Sequence, residues 1–175
     1  MGDLKRAGEI MIPLEKYPHI PYWFTLRQTM AEMEHSVLDI DGRQSLPRVV
    51  LVFDEKYRLM GLVRRRDILR GLEPEFLIQK SIDERKRLFD VDISPEHWEI
   101  SLEQILEGTR KRAERQVSEI MRPIECTTDY DNHVFQVIYE MNVNRVNLLP
   151  VMKDKRVVGV VRSVDVFHAV SSLIL

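Results

Sequence analysis

The chain has 175 residues, 44% hydrophobic and 31% charged, with a formal net charge of −2. That length suits one domain or two small intimate ones, with enough chain to bury a core unaided. The near-neutral balance argues against bulk electrostatic binding to nucleic acid or to an anionic membrane.

The chain opens on Ala7-Gly8-Glu9-Ile10-Met11-Ile12-Pro13, preceded by no apolar core of a secretory signal. Tyr17-Pro18-His19-Ile20-Pro21-Tyr22-Trp23-Phe24 then crowds aromatics and prolines into a stiff apolar stretch. It suits a plug between two halves of the core, or a surface that stacks on a base or a partner. Residues 25–33 read as a helix, and the polar stretch 34–45 carries Asp41-Gly42 as a turn signal. Val-rich runs at 49–53 and 59–63, joined by Asp54-Glu55-Lys56-Tyr57, predict a β-hairpin, and a helix follows at 65–72.

Residues 73–116 are different in kind, with 11 acidic and 8 basic residues and few strand formers. Ser94-Pro95 predicts a helix start, and Trp98, Leu102, Ile105, Leu106 and Thr109 follow at helical spacing to about 116. Arg110, Lys111, Arg112 and Arg115 suit its C-terminal end, where cations meet the negative pole of the helix. A second helix is predicted over about 73–89. Beyond 117 the first pattern returns: an opening at 117–123, a helix at 131–141, strands at 147–152 and 157–161 and a helix at 163–173.

Glu-Ile-Met-x-Pro occurs at 9–13 and again at 119–123, an offset of 110. Arg58 to Asp67 aligns with Arg156 to Asp165 at an offset of 98, and Met30-Ala31-Glu32-Met33 with Ile138-Tyr139-Glu140-Met141 between them. The first copy is longer by 12 residues, mostly within 34–45. The order helix, strand, strand, helix therefore occurs twice. It predicts an α/β (α+β) sandwich of two pseudo-symmetric halves, 7–72 and 117–175, each a small sheet packed by two helices, with a helical insert at 73–116.

Nothing in the sequence predicts an enzyme. His19, His35, His97, His133 and His168 are scattered, and the seven glycines form no phosphate loop. Cys126, the single cysteine, permits no intramolecular disulfide and reads as a small buried residue in a reducing compartment. No clustered metal ligands are present. No run approaches 18 apolar residues, so a soluble cytoplasmic protein is expected.

The repeat resembles a tandem pair of CBS domains, a Bateman module. The resemblance rests on Ile10-Met11-x-Pro13 and Ile120-Met121-x-Pro123, on Leu149-Pro150-Val151, and on Gly61-Leu62-Val63 with Asp67 and Gly159-Val160-Val161 with Asp165. It implies an adenine nucleotide (AMP, ADP or ATP) bound in a cleft between the repeats, and no required cofactor. Asp67 and Asp165 then accept both ribose hydroxyls, for which a carboxylate offers two acceptor oxygens; the alternative is that each merely caps its own helix. Where the family has Thr or Ser, this chain has Arg64 and Arg162, with Ser163 beside the second. These arginines either bind phosphate or face solvent and the acidic middle segment. By the same resemblance the adenine lies against Ile124 to Thr128, with Thr127 and Thr128, and against Arg145, Val146 and Asn147. In the first copy the matching stretches are Pro18 to Pro21, with Ile20 and Pro21, and Pro47 to Val49. The threonines are alternatively explained by strand propensity; Arg145 resembles the family's basic residue before the strand, which approaches a phosphate, or else makes a surface ion pair.

The reading that follows is a stand-alone regulatory module that senses a nucleotide and signals to an effector protein. A homodimer through helices 131–141 and 163–173 goes with it. A ligand-free scaffold that kept the fold is the alternative. A nucleic-acid surface at Arg64–Arg66 and Arg110–Arg115 is weakened by the net charge of −2.

Overall fold

A computed structural model describes residues 4–89 and 100–175. The first repeat contains β2 (His19–Pro21), α2 (Leu26–His35), β3 (Leu38–Ile40), β4 (Arg43–Ser45), β5 (Val49–Phe53), β6 (Leu59–Arg64) and α3 (Arg65–Leu72). The second contains β8 (Thr128–Asp129), α7 (Val134–Asn144), β9 (Leu148–Lys153), β10 (Arg156–Arg162) and α8 (Ser163–Ile174). Their openings carry α1 (Ala7–Ile10) with β1 (Ile12–Pro13), and β7 (Arg122–Pro123). The insert supplies α4 (Glu75–Ile78), α5 (Ile82–Leu88) and α6 (Leu102–Arg112).

Local chemistry sets these elements. Thr25 starts α2: its hydroxyl accepts from the Gln28 N–H at 3.1 Å, and the Gln28 side chain returns a bond to the Thr25 N–H at 2.9 Å. Ser101 and Gln104 do the same for α6. The run Val-Val-Leu-Val-Phe of β5 is almost wholly buried because the strand is central, with parallel β2 on one side and antiparallel β6 on the other.

The two sheets have the strand orders β2-β5-β6-β7 and β1-β10-β9-β8. The opening of each repeat therefore completes the sheet of the other. Ile12 and Pro13 pair with Val160 and Gly159, while Arg122 and Pro123 pair with Leu62 and Gly61. The exchange extends to the first helices. The Val134 N–H reaches the Lys5 carbonyl at 2.9 Å, and the Leu26 N–H reaches Arg115 at 2.9 Å. Ala7 is consequently buried in the core of the second repeat, with Val137, Leu149 and Val166. Val117 is buried in that of the first, with Leu26, Val52 and Ile68. A third cluster, including Ile12, Leu14, Tyr17, Leu51, Leu148 and Val160, joins the two halves.

The expected order of helices and strands holds in both repeats. The predicted helix over 73–89 is instead two, α4 and α5, because Ser81 recaps the chain with Glu84. Only α6 is seen of the helix predicted over 95–116; the Ser94-Pro95 start and Trp98 lie outside the described residues. The polar stretch 34–45 ends α2 and then forms the hairpin β3–β4, turning at Asp41 and Gly42 with φ of 52° and 76°. The aromatic run divides three ways. Tyr17 is buried between the sheets, Tyr22 and Phe24 pack onto the first core, and Trp23 is 48% exposed.

Candidate functional site

β6 runs into α3, and β10 into α8, without a loop. This places Asp67 and Asp165 at the third position of a helix. There each carboxylate accepts the backbone N–H of the residue before the helix, from Arg64 at 3.1 Å and from Arg162 at 2.9 Å. The same two arginines fold their guanidiniums back onto these carboxylates. Arg64 donates to Asp67 through Nε and Nη2, both at 2.9 Å, and Arg162 to Asp165 at 2.9 and 2.7 Å. Arg122, from the exchanged strand β7, adds a bond to Asp67 Oδ1 at 3.0 Å. Burial alone would raise the Asp67 pKa, but the bonds from Arg64 and Arg122 hold it well below the usual carboxylate range.

Arg64 and Arg162 each form a bidentate pair with the aspartate three residues on, an ion pair that neither sequence reading of these arginines included. Arg162 also donates to the Ser45 hydroxyl at 3.2 Å, and Arg43 to His168 at 2.8 Å, so the β3–β4 hairpin of the first repeat rests on the second. Tyr17 lies beneath it, donating to the Val49 carbonyl at 2.6 Å; burial pushes its phenol upward in pKa.

The structure disperses the remaining expected residues. Ile20 is buried in the first core, and Pro21 ends β2, half-buried. Thr128 is buried on β8, its hydroxyl accepting from the Asn132 amide at 3.2 Å, whereas Thr127 is exposed. Val146 packs against the second core. Arg145 is exposed and left-handed, with φ of 54°, ending α7. The Ser163 side chain is exposed and its N–H binds the Asn147 carbonyl at 2.9 Å, as Arg65 binds Arg48 at 3.2 Å in the first copy. Cys126 is half-buried against the second core, where burial raises its thiol pKa.

Asp67 borders an open cleft of about 540 Å³ between α3, the end of α6 and the second opening. Arg70, Arg112, Arg115 and Arg122 line it, with Glu73 and Glu119. Sequence reasoning marked the basic end of the insert but did not bring it to Asp67. The signal was the spacing of Asp67, Arg70 and Gly71, which share one face of a helix. Among the described residues no group of His, Cys, Asp and Glu could hold a metal ion, and no helix is long and apolar enough to cross a membrane.

Two sheets completed by exchanged openings, with matching aspartates at the start of matching helices, define a paired α/β repeat module. Residues 117–172 match the family model of the CBS domain, and the chain has the fold of a tandem CBS pair. One similar structure is that of CBSX2 in complex with AMP, at 13% identity and a TM-score of 0.62, covering 97% of this chain and 98% of that one. Another is the CBS domain of a CBS domain-containing membrane protein from Sphaerobacter thermophilus, at 20% identity and a TM-score of 0.63, covering 95% and 88%. The cytosolic domain of the Mg²⁺ channel MgtE in complex with ATP aligns at 20% identity and a TM-score of 0.58, covering 93% of this chain and 48% of that one. No curated protein matches the chain by sequence.

Proposed function

We propose that the chain is a regulatory module of the cytoplasm that binds an adenine nucleotide between its repeats and signals to a partner protein, without catalysis. One observation carries this reading: Asp67 stands at the first turn of α3 and borders a cleft large enough for a nucleotide. The AMP and ATP complexes of the similar folds support it. All four bonds to Asp67 come from Arg64 and Arg122, so the ribose hydroxyls must replace a guanidinium. The displaced arginine is then free for phosphate. Binding acts on the fold because Arg122 belongs to the strand that joins the repeats, and a ligand shifts shape only through such differential contacts.

A homodimer through the second repeat belongs to the same reading. Phe135, Tyr139 and Val143 on α7 and Val164 and Phe167 on α8 are exposed. By the repeat alignment the first copy has Arg27, Ala31, His35, Arg66 and Leu69 there, so the apolar face is one-sided.

The test is calorimetric titration of adenosine, AMP, ADP, ATP and GTP into the wild type and into Asp67→Ala and Asp165→Ala. Selective binding lost in one variant supports the reading and identifies the cleft. A second reading, a scaffold that binds no nucleotide, is favoured by the pairing of both aspartates with the chain's own arginines. It prevails if no adenine compound binds.

A further inference from the structure

The insert between the repeats changes the character of the Asp67 cleft. Arg112 and Arg115 come from the end of that insert, Arg70 from α3 and Arg122 from the exchanged strand. Four guanidiniums therefore converge from three separate elements on a space of about 540 Å³. Their donors are only partly used. Arg112 gives Nε to the Gly71 carbonyl at 3.1 Å, and Arg122 gives Nε to Asp67. In both, the two terminal nitrogens have no partner among the described residues. The Arg70 side chain has none at all there, and Arg115 is paired with Glu119.

Three carboxylates, Asp67, Glu73 and Glu119, line the cleft against the four arginines, and two of them are shared with arginines beyond it. Asp67 is also held by Arg64 and Glu73 by Arg85, both from outside the cleft wall. By the offset of 110 the counterparts of Arg115 and Arg122 at the second repeat are Lys5 and Ile12, so the guanidiniums are not repeated there. The matching position to Arg70 there is His168, which is engaged by Arg43.

We propose that the arginines gathered at the Asp67 cleft form a subsite for a chain of linked phosphates, making this cleft selective for di- and triphosphates over monophosphates. The guanidinium fork matches paired phosphate oxygens, and several forks around one space favour a polyanion over a single phosphate group. The proposal deepens the nucleotide reading and rests on it for the adenosine half; a nucleotide's polyphosphate and a free one carry the same oxygens.

Titration in EDTA with adenosine, AMP, ATP and inorganic tripolyphosphate separates these sources. ATP is expected to bind at least tenfold tighter than AMP, and tripolyphosphate to displace it. Arg70→Gln and Arg112→Gln should each weaken ATP and tripolyphosphate about tenfold, the value of one charge-assisted bond pair, while AMP moves less than threefold. Lys155→Gln, in the exposed β9–β10 turn, is the charge control. Arg70 has no partner among the described residues, so its variant tests the subsite even if Arg112→Gln folds poorly. Tripolyphosphate binding without adenosine or AMP binding overturns the adenosine half and leaves the phosphate subsite standing. Equal affinity for AMP and ATP, or variants that weaken neither ATP nor tripolyphosphate, overturns the subsite and leaves the nucleotide reading intact.

Discussion

Replacing Gly61 with alanine would place a Cβ in overlap with the Arg122 carbonyl and 3.2 Å from Met121 Sδ. The carbonyl belongs to β7, so relief requires that strand to lift from β6. Lifting it breaks the backbone pairing at Gly61 and Leu62, about 1 kcal/mol per bond. It also draws Ile120 and Met121 partly out of the first core, about 2 kcal/mol together. Alanine restricts the unfolded chain and returns up to about 1 kcal/mol. The net loss is about 3 kcal/mol, or roughly 6–12 °C in Tm for a chain of this size. The assay is thermal melting followed by circular dichroism, with Gly42→Ala as the comparison. That glycine has φ of 76° and open space around it, so its replacement should cost about 1 kcal/mol through backbone strain alone. A Gly61→Ala loss no larger than that of Gly42→Ala would refute the exchange of strands.

Asp67→Asn removes the charge that Arg64 and Arg122 share. Those side chains are 39% and 42% exposed, so the loss at pH 7 is discounted to about 2 kcal/mol. The folded pKa is depressed, so this stabilisation is full above the unfolded value of about 4 and fades as pH falls toward the folded one. Urea melts of wild type and variant should therefore differ by about 1 kcal/mol less at pH 3 than at pH 7; a gap that is constant or grows on acidification contradicts the pairing. Phe167→Glu puts a charge on the one-sided apolar face. Sedimentation at about 100 μM should show a dimer for the wild type and a monomer for the variant with Tm unchanged, and a monomeric wild type would sink the dimer.

The repeat made much of the fold legible. α3 occupies the residues predicted for it, as does β5, because the Val-rich run and the abrupt change to Arg65-Arg66-Asp67 leave little choice of boundary. The hairpin turns were equally plain, and Asp54 shows why: its carboxylate accepts the backbone N–H groups of Lys56 and Arg58 within the turn. The two-residue strands β1 and β7 were not legible. Each has no partner within its own repeat, and only tertiary packing tells a short Met-x-Pro opening which sheet to join. The β3–β4 hairpin escaped because β4 is exposed throughout and shows no alternation. At the site, both aspartates and their capping of the helices were legible in the sequence, but not the arginine pairs they form. Arg-x-x-Asp reads as a capping pattern as well as half of a ligand motif, and three-dimensional contact with Arg122 has no local signature. The arrival of Arg112 and Arg115 at the cleft that Asp67 borders depends on the path of the insert, which charge patterning does not encode.

The crossed openings impose an order on synthesis. Residues 7–72 leave the ribosome with their own opening strand but without β7, so the outer edge of β6 stays bare until Arg122 and Pro123 arrive. β1 waits longer still, since Ile12 meets Val160 only once the second repeat's last strand has been made. Neither half can finish as a domain before the other begins, and a nascent chain paused between the repeats exposes a hydrophobic sheet edge of the kind that recruits stray strands. The insert, with its 11 acidic and 8 basic residues, is made during that interval.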